Sequence, residues 1–182
     1  MTHAGTALID PKIVFDKIGL TVGMRVADLG CGRTGHFVFP VARVVGDTGV
    51  VYAIDVVKDI LESLNSRVRS EGFGNVHTVW SDIEMVEKTP IPAGSLDVAF
   101  FVNVMYLLRD KESALREASR LLKDGGQIVL IDWSKNLGPL GPKDGVMVSP
   151  SEMIEHAQIS GLNLMENINL GDYHFCLIFK KN

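Results

Sequence analysis

The stretch "VADLGCGRTGHF", Val26 to Phe37, decides the fold. It starts as a short apolar strand and runs into Gly30, Gly32 and Gly35, spaced G-x-G-x-x-G. Glycines so placed allow a tight turn from strand to helix and let a ligand lie close to the backbone. Taken literally, the spacing is a dinucleotide fingerprint, but glycine loops are common and the spacing alone selects no ligand. Two residues before the first glycine stands an acid, Asp28. A carboxylate there repels a pyrophosphate and attracts an ammonium group.

Outward from this loop, β-branched apolar runs alternate with segments of helical period. "KIVFDKIG" reads as a short first helix, "MRVADLG" as the first strand and "GHFVFPVARVVG" as a helix closed by Gly46. Pro40 falls about a turn inside that helix, where it should remove one hydrogen bond and bend the axis. "GVVYAIDV" is the second strand, and "VKDILESLNSRVRSEGFG" is a helix with Ile60, Leu61, Leu64 and Val68 on one face. "NVHTVWSD" is the third strand, "IEMVEKTPIPAGS" a loop, and "LDVAFFVNVMYLL" a fourth strand running into a loop. "KESALREASRLLKDGG" is a helix with Leu115, Ala118, Leu121 and Leu122 inward, followed by the strand "QIVLIDWS". After the Gly- and Pro-rich segment 135–150, a helix begins that Ser149 or Ser151 can cap, with Glu152 at the capping-box spacing from Ser149. The chain closes with two strands joined by "GDYH", too short for a crossover, so they must pair antiparallel. Repeated β-α units closed by a hairpin imply a single α/β domain, its first five strands parallel and covered by helices on both faces. Ligands of such sheets lie beyond the carboxyl ends of the strands.

Composition narrows the class. A chain of 182 residues, 46% of them apolar, can build one sizeable core. The net charge of −4 argues against a nucleic-acid partner, and Arg67 with Arg69, like Lys180 with Lys181, read as solvated charges. Two distant cysteines, Cys31 and Cys176, give no disulfide framework and fit a reducing, cytoplasmic setting. The five histidines form no metal-ligand pair, so no metal site is expected. The N-terminus lacks a signal-peptide pattern, and no run approaches the ~20 apolar residues of a membrane span.

The loop gains selectivity from two further acids. Asp55 ends the second strand, 20 residues after Gly35, where an acid can accept from both ribose hydroxyls. Asp82 ends the third strand in "WSDI" and can accept from an adenine amino group, with Ile83 against the ring. The glycine loop with Asp55 points to an adenosine but does not choose the cofactor. Asp28, Asp82 and the terminal hairpin together favour S-adenosylmethionine, which carries an ammonium and no phosphate, since the hairpin is unlike a two-halved dinucleotide fold.

At these residues the chain resembles the class I S-adenosylmethionine-dependent methyltransferases, and within them the small ubiquinone/menaquinone-biosynthesis type. The resemblance runs from about Ile13 to Lys181 through "VADLGCG", "VVYAIDV", "WSDI", "LDVAFFVNVMYLL", "RLLKDGGQIVLIDW" and "DYHFCLIFKK". It implies a doubly wound, Rossmann-like sheet of seven strands ordered 3-2-1-4-5-7-6, strand seven antiparallel. It places Asp28, Gly30 and Gly32 at the methionine part, with Gly35 in the same loop. It places Asp55 on the ribose with Val56 beside the adenine, Asp82 on the adenine amine with Ile83, and Asn103 along the methionine arm. The family often has its third glycine where Thr34 stands, and its usual proline before the double glycine is Asp124 here.

The implied reaction is displacement at the sulfonium methyl by a small-molecule acceptor. No N-P-P-Y-type or Pro-Cys motif follows the fourth strand, and two cysteines are too few for an arsenite enzyme. Cys176, inside the last strand, reads as core. No catalytic base is fixed by the sequence. Tyr106 and His174 are the candidates at the catalytic edge, with His174 the better base by chemistry. Asp132, Trp133, Lys135, His36 and Tyr173 are neighbours of that edge, and segment 135–150 is the candidate lid. Two other readings stand beside this one: a non-catalytic S-adenosylmethionine-binding protein or partner subunit, and an NAD-dependent reductase.

Overall fold

The computed structural model describes residues 8–138, 141–142 and 145–182. The elements follow in the order α1 (Pro11–Ile18), β1 (Arg25–Leu29), α2 (Val38–Val45), β2 (Val50–Asp55), α3 (Lys58–Glu71), β3 (Val76–Trp80), β4 (Leu96–Val102), α4 (Lys111–Leu121), β5 (Leu122–Trp133), α5 (Pro150–Ile159), β6 (Leu162–Leu170) and β7 (His174–Lys181). A single 3-10 turn, Met105–Leu107, follows β4.

The strands form one seven-stranded sheet in the order β3-β2-β1-β4-β5-β7-β6. Strands β1 to β5 pair in parallel, while β7 runs antiparallel to both β5 and β6. The expected architecture is therefore present. Period two explains how the central strands serve both faces. In β4, Phe100 packs into the core on one side with Phe15, Phe37 and Phe39, and Phe101 packs into the other with Leu115, Phe175 and Phe179.

Local chemistry sets the helix ends. Asp10 caps α1 by accepting from the Lys12 N–H at 2.9 Å, ahead of Pro11, whose missing N–H costs nothing in a first turn. Asp110 caps α4 through the Ser113 N–H. Ser149, not Ser151, caps α5, and Glu152 completes the capping box. On α3 Leu61, Leu64 and Val68 are buried, whereas Ile60 faces a cavity at the sheet's carboxyl edge.

Three local expectations need correction. Helix α2 begins at Val38, so Pro40 is its third residue. The first turn has no intrahelical acceptors for its N–H groups, and Pro40 therefore removes no bond there. Helix α4 ends at Leu121, and β5 starts at Leu122 rather than Gln127. Leu122 pairs with Leu96, and the register then shifts before Val98 meets Gln127, so the Asp124–Gly126 turn is absorbed into an irregular strand entry. Strand β3 ends at Trp80, which leaves Asp82 in the loop beyond it. The candidate lid, 135–150, falls in part outside the described residues.

One buried ion pair ties the β3–β4 loop to the fold. The Glu117 carboxylate on α4 is fully buried and accepts from the N–H groups of Glu87 (2.7 Å) and Thr89 (3.0 Å) and from the Arg120 guanidinium (2.7 and 2.8 Å). Burial alone would raise its pKa. The Arg120 charge and the N–H donors outweigh burial and bring it from 4.5 down to about 2. A depressed acid stabilises the fold above its unfolded pKa, and that stability drains as pH falls through the folded value. Glu117→Ala is expected to cost about 3–5 kcal/mol in urea unfolding at pH 7, because it strands Arg120 and two N–H groups. The variant should also lack the loss of about 3 kcal/mol that this group gives the wild type between pH 4.5 and 2.

Candidate active site

The glycine loop leaves β1 against β2. The N–H groups of Gly30 and Cys31 both donate to the Ile54 carbonyl, at 2.9 and 3.0 Å. Asp55 fixes the next turn, accepting from the Gly32 N–H at 3.1 Å and the Val57 N–H at 3.0 Å. Gly30 and Gly32 have φ of +82° and +62°, a region costly for residues with a Cβ. Gly35 serves a different purpose. Its φ is +55°, and a Cβ there would come within 2.7 Å of Leu64 Cδ1 and 2.9 Å of Phe39 Cε2. Glycine is needed one residue after the family's usual place because the loop packs there on α3. Thr34 is exposed, and its carbonyl accepts from Arg67 Nη1 at 2.9 Å while that guanidinium lies 4.0 Å from the Phe39 ring centre. Arg67, read from sequence as a solvated charge, holds the loop from outside.

A cavity of about 460 Å3 opens at the carboxyl edge. Gly30 and Arg33 come to it from the loop, Asp55 and Val56 from the end of β2, Asp82 and Ile83 from beyond β3, and Asn103 and Val104 from beyond β4. A small recess of about 10 Å3 is lined by Asp28, Cys31, Thr34, His36 and Phe37. Gly30 borders both spaces. Of the residues singled out from sequence, Gly30, Asp55, Val56, Asp82, Ile83 and Asn103 line the cavity, and Asp28 lines the recess. Gly32 meets the site through Asp55, and Gly35 lines neither space.

The recess is electrostatically unusual. Asp28 is 4% exposed and its Oδ1 has no hydrogen-bond partner. Burial first, and the Asp55 charge second, raise its pKa from 3.8 to about 7. Asn103 also holds a buried oxygen, Oδ1, without a partner. Its φ of +53° is left-handed, a conformation Asn tolerates better than most residues, and its N–H donates to the Ile131 carbonyl at 2.8 Å. Two orphan acceptors thus stand at the ends of neighbouring strands. A buried acceptor without a donor is costly, and a donor supplied by a bound group is what each of them lacks.

The candidate bases lie elsewhere. His174 is 1% exposed, and burial lowers its pKa to about 4. Its Nε2 lies 3.2 Å from Asn103 Nδ2, its Nδ1 is buried without a partner, and its ring lies 4.4 Å from that of Trp133. Tyr106 is half-buried, with a phenol pKa raised by burial and by Asp132. Neither side chain borders the cavity or the recess. Asp132 is fully buried, and burial raises its pKa to about 7 against the opposing donors Trp133 N–H (2.8 Å) and Tyr106 N–H (3.4 Å). It anchors the turn after β4. His36 donates from Nε2 to the Ile9 carbonyl at 3.0 Å, and the Tyr173 carbonyl accepts from the Ser134 N–H. Cys176 is core, its thiol pushed up to about 12 by burial.

Sequence reasoning did not single out Arg33, Val104 or Leu107, and it placed Ile60 on the apolar face of its helix rather than at the site; all four line the cavity. Val104 is the closest constraint on the loop, since a Cβ on Gly30 would fall 2.5 Å from Val104 Cγ2. The motif "VNVMYLL" carries it, but its contact with Gly30 joins distant parts of the chain.

Comparison with known proteins agrees with this geometry. Residues 20–168 match the model of a family described as a methyltransferase domain. The ubiquinone/menaquinone biosynthesis C-methyltransferase UbiE of Vibrio campbellii is 35% identical over 128 residues, 68% of this chain and 47% of that enzyme. The chain thus spans about half the length of the relatives it matches. A SAM-dependent methyltransferase from Aquifex aeolicus superposes over 100% of both chains, with a TM-score of 0.87 and 25% identity. A putative type 11 methyltransferase from Sulfolobus solfataricus covers 96% of this chain and 94% of its own, with a TM-score of 0.74 and 25% identity. From its sequence and its sheet alike, the chain belongs to the methyltransferase-domain family and has the class I S-adenosylmethionine-dependent fold.

Proposed function

We propose that this chain is an S-adenosylmethionine-dependent methyltransferase acting on a small-molecule acceptor. The observation that carries the reading is the pair of buried, unpartnered acceptors, Asp28 Oδ1 and Asn103 Oδ1, beside a cavity whose other walls carry Asp55 and Asp82. An ammonium group supplies the kind of donor that each of these oxygens lacks. A pyrophosphate fits less well, because its charge would be of the same sign as the buried Asp28 carboxylate nearby. That contrast weighs against the NAD-dependent reading of the loop.

When bound, the cofactor supplies a methyl group on an electrophilic sulfonium. The chain's own residues do the rest by holding and shielding. Asp28 and Asn103 hold the ammonium end. Asp55, already fixed by two N–H donors, offers its carboxylate to the ribose hydroxyls. Asp82 lines the adenine end, with Val56 and Ile83 as apolar walls. Alignment of acceptor, methyl and sulfur and exclusion of water are the main catalytic contributions of such a site.

Asp55→Ala should weaken S-adenosylhomocysteine binding by about 3 kcal/mol, measured by calorimetry. The effect sits at the upper end for a lost charged acceptor because Asp55 also ties Gly32 and Val57 into the loop. Unchanged affinity would contradict its place on the ribose.

A cytoplasmic setting and the absence of a nucleic-acid partner belong to the same proposal, supported by two free, buried cysteines and a net charge of −4. No helix among the described residues is long and apolar enough to cross a membrane. The test is release of S-adenosylhomocysteine with phenolic, quinol, amine and thiol acceptors. Release with one class supports an enzyme. Tight binding with no release across the panel would favour a sensor or partner subunit.

A further inference from the structure

The methionine arm of S-adenosylmethionine carries two charges, and Asp28 answers only the ammonium. Its carboxylate needs a cation or several N–H donors once it leaves water. Acids dominate the walls: Asp28 in the recess, and Asp55, Asp82 and Glu84 in the cavity. Among the described residues lining either space, Arg33 is the one lysine or arginine. The cavity acids are already engaged by the backbone. Asp55 accepts from the Gly32 and Val57 N–H groups, Asp82 from the Glu84 N–H, and Glu84 from the N–H groups of Arg109 and Asp110. Arg33 is exposed, and no hydrogen bond, ion pair or ring contact with the described residues holds its guanidinium.

The loop decides where this free cation stands. Cys31 and Thr34 line the recess with Asp28, whereas Arg33, between them in sequence, lines the cavity with Asp55 and Asn103. Its side chain therefore leaves the loop between the acid for the ammonium and the acid for the ribose. The methionine arm joins those two groups, so it crosses the same span. The backbone is held on both sides, by the Gly32 N–H on Asp55 and by the Arg67 guanidinium on the Thr34 carbonyl. A guanidinium so placed can donate two parallel hydrogen bonds to one carboxylate.

Resting on the S-adenosylmethionine reading above, we infer that Arg33 is a cofactor-binding residue whose guanidinium takes the carboxylate of the methionine arm while Asp28 takes the ammonium. The glycine loop then offers one acid and one cation to a zwitterion. Neither charge of the arm is left facing a like charge alone.

Three probes isolate this role. S-adenosylhomocysteine carries both charges, its decarboxylated form keeps the ammonium alone, and 5′-methylthioadenosine has neither. Arg33→Met removes the guanidinium from a long side chain, and Arg33→Lys keeps the charge. Calorimetry on the full chain should show Arg33→Met binding S-adenosylhomocysteine about tenfold more weakly, with the other two probes within about twofold of wild type. Arg33→Lys should stay within about threefold for S-adenosylhomocysteine, since a point charge replaces the fork. Arg33→Met should melt as the wild type does, because no contact of the fold is lost. Unchanged S-adenosylhomocysteine affinity in Arg33→Met would overturn the inference and leave this arginine to the acceptor or to solvent. An equal loss for S-adenosylhomocysteine and its decarboxylated form would overturn it too. So would a wild type that binds those two equally well. Failure of the wild type to bind any of the three would instead overturn the cofactor reading, and the inference with it.

Discussion

Asp28→Asn is expected to make the free protein more stable and at the same time nearly unable to bind the cofactor. The two effects share one cause. Asp28 is a buried carboxylate whose Oδ1 has no partner, and burial raises its pKa from 3.8 to about 7. A raised acid holds its proton in the folded state after the unfolded chain has released it. Stability therefore falls as pH rises from about 3.8 to about 7, and the full penalty is present above that window. A shift of that size corresponds to about 4 kcal/mol. A buried amide with unmet hydrogen bonds returns about 1–3 kcal/mol of it. Thermal melts at pH 8 should thus show Asp28→Asn about 1–3 kcal/mol more stable than wild type, with the advantage shrinking toward pH 5. Affinity moves the other way. The ammonium loses its charged acceptor, and S-adenosylhomocysteine binding should weaken by about 100-fold, the effect of truncating a buried charge pair. A variant that is less stable and binds as well would remove Asp28 from the site. Function retained against stability is common where a binding group is left poised in the free protein.

Gly30→Ala should damage both stability and binding. Gly30 has φ +82°, and its added Cβ would lie 2.5 Å from Val104 Cγ2 and 3.1 Å from Val104 Cβ. The left-handed backbone costs about 1–2 kcal/mol for an alanine, and the overpacking about 1–3 kcal/mol more. Val104 also lines the cavity, so relief of the clash displaces a wall of the binding site. Loss of about 3 kcal/mol in stability and about 100-fold in S-adenosylhomocysteine affinity is expected, since small misplacements in such sites have effects of that order. The double variant Gly30→Ala/Val104→Ala should recover the overpacking part and leave the backbone part. Strict additivity of the two substitutions would contradict the contact.

How much of this was legible in the sequence depends on the range of each interaction. Alternating β-α units fix which ends of the strands face one edge, so Asp28, Asp55 and Asp82 could be brought together from their positions alone. Strand β4 was legible as a strand, since "VAFFV" has the length of a buried one, whereas the two cores its neighbouring phenylalanines serve appear only in the fold. Contacts between distant segments left no local signal. Arg67 looks solvated in "SRVRS", yet it holds the Thr34 carbonyl 33 residues away. Glu117 looks like one more charge on a helix, yet it is buried beneath a loop 28 to 30 residues before it. His174 was legible as a histidine near the catalytic edge, but its burial and its bond to Asn103 depend on how β7 packs beside β5. The oddity of Thr34 before Gly35 has a packing cause, for Leu64 and Phe39 leave no room for a Cβ at position 35.

The central claim is that the glycine loop and the buried Asp28 form a site for the ammonium end of S-adenosylmethionine. The most direct measurement is calorimetric titration of the full chain with S-adenosylhomocysteine at pH 6 and pH 8, with NADH as the control. Binding an ammonium ionises Asp28, whose pKa in the free protein is about 7. Affinity should therefore be about tenfold higher at pH 8 than at pH 6, with proton release on binding at the lower pH and no heat from NADH. Binding of NADH in place of S-adenosylhomocysteine, or no binding of S-adenosylhomocysteine at either pH, would contradict it.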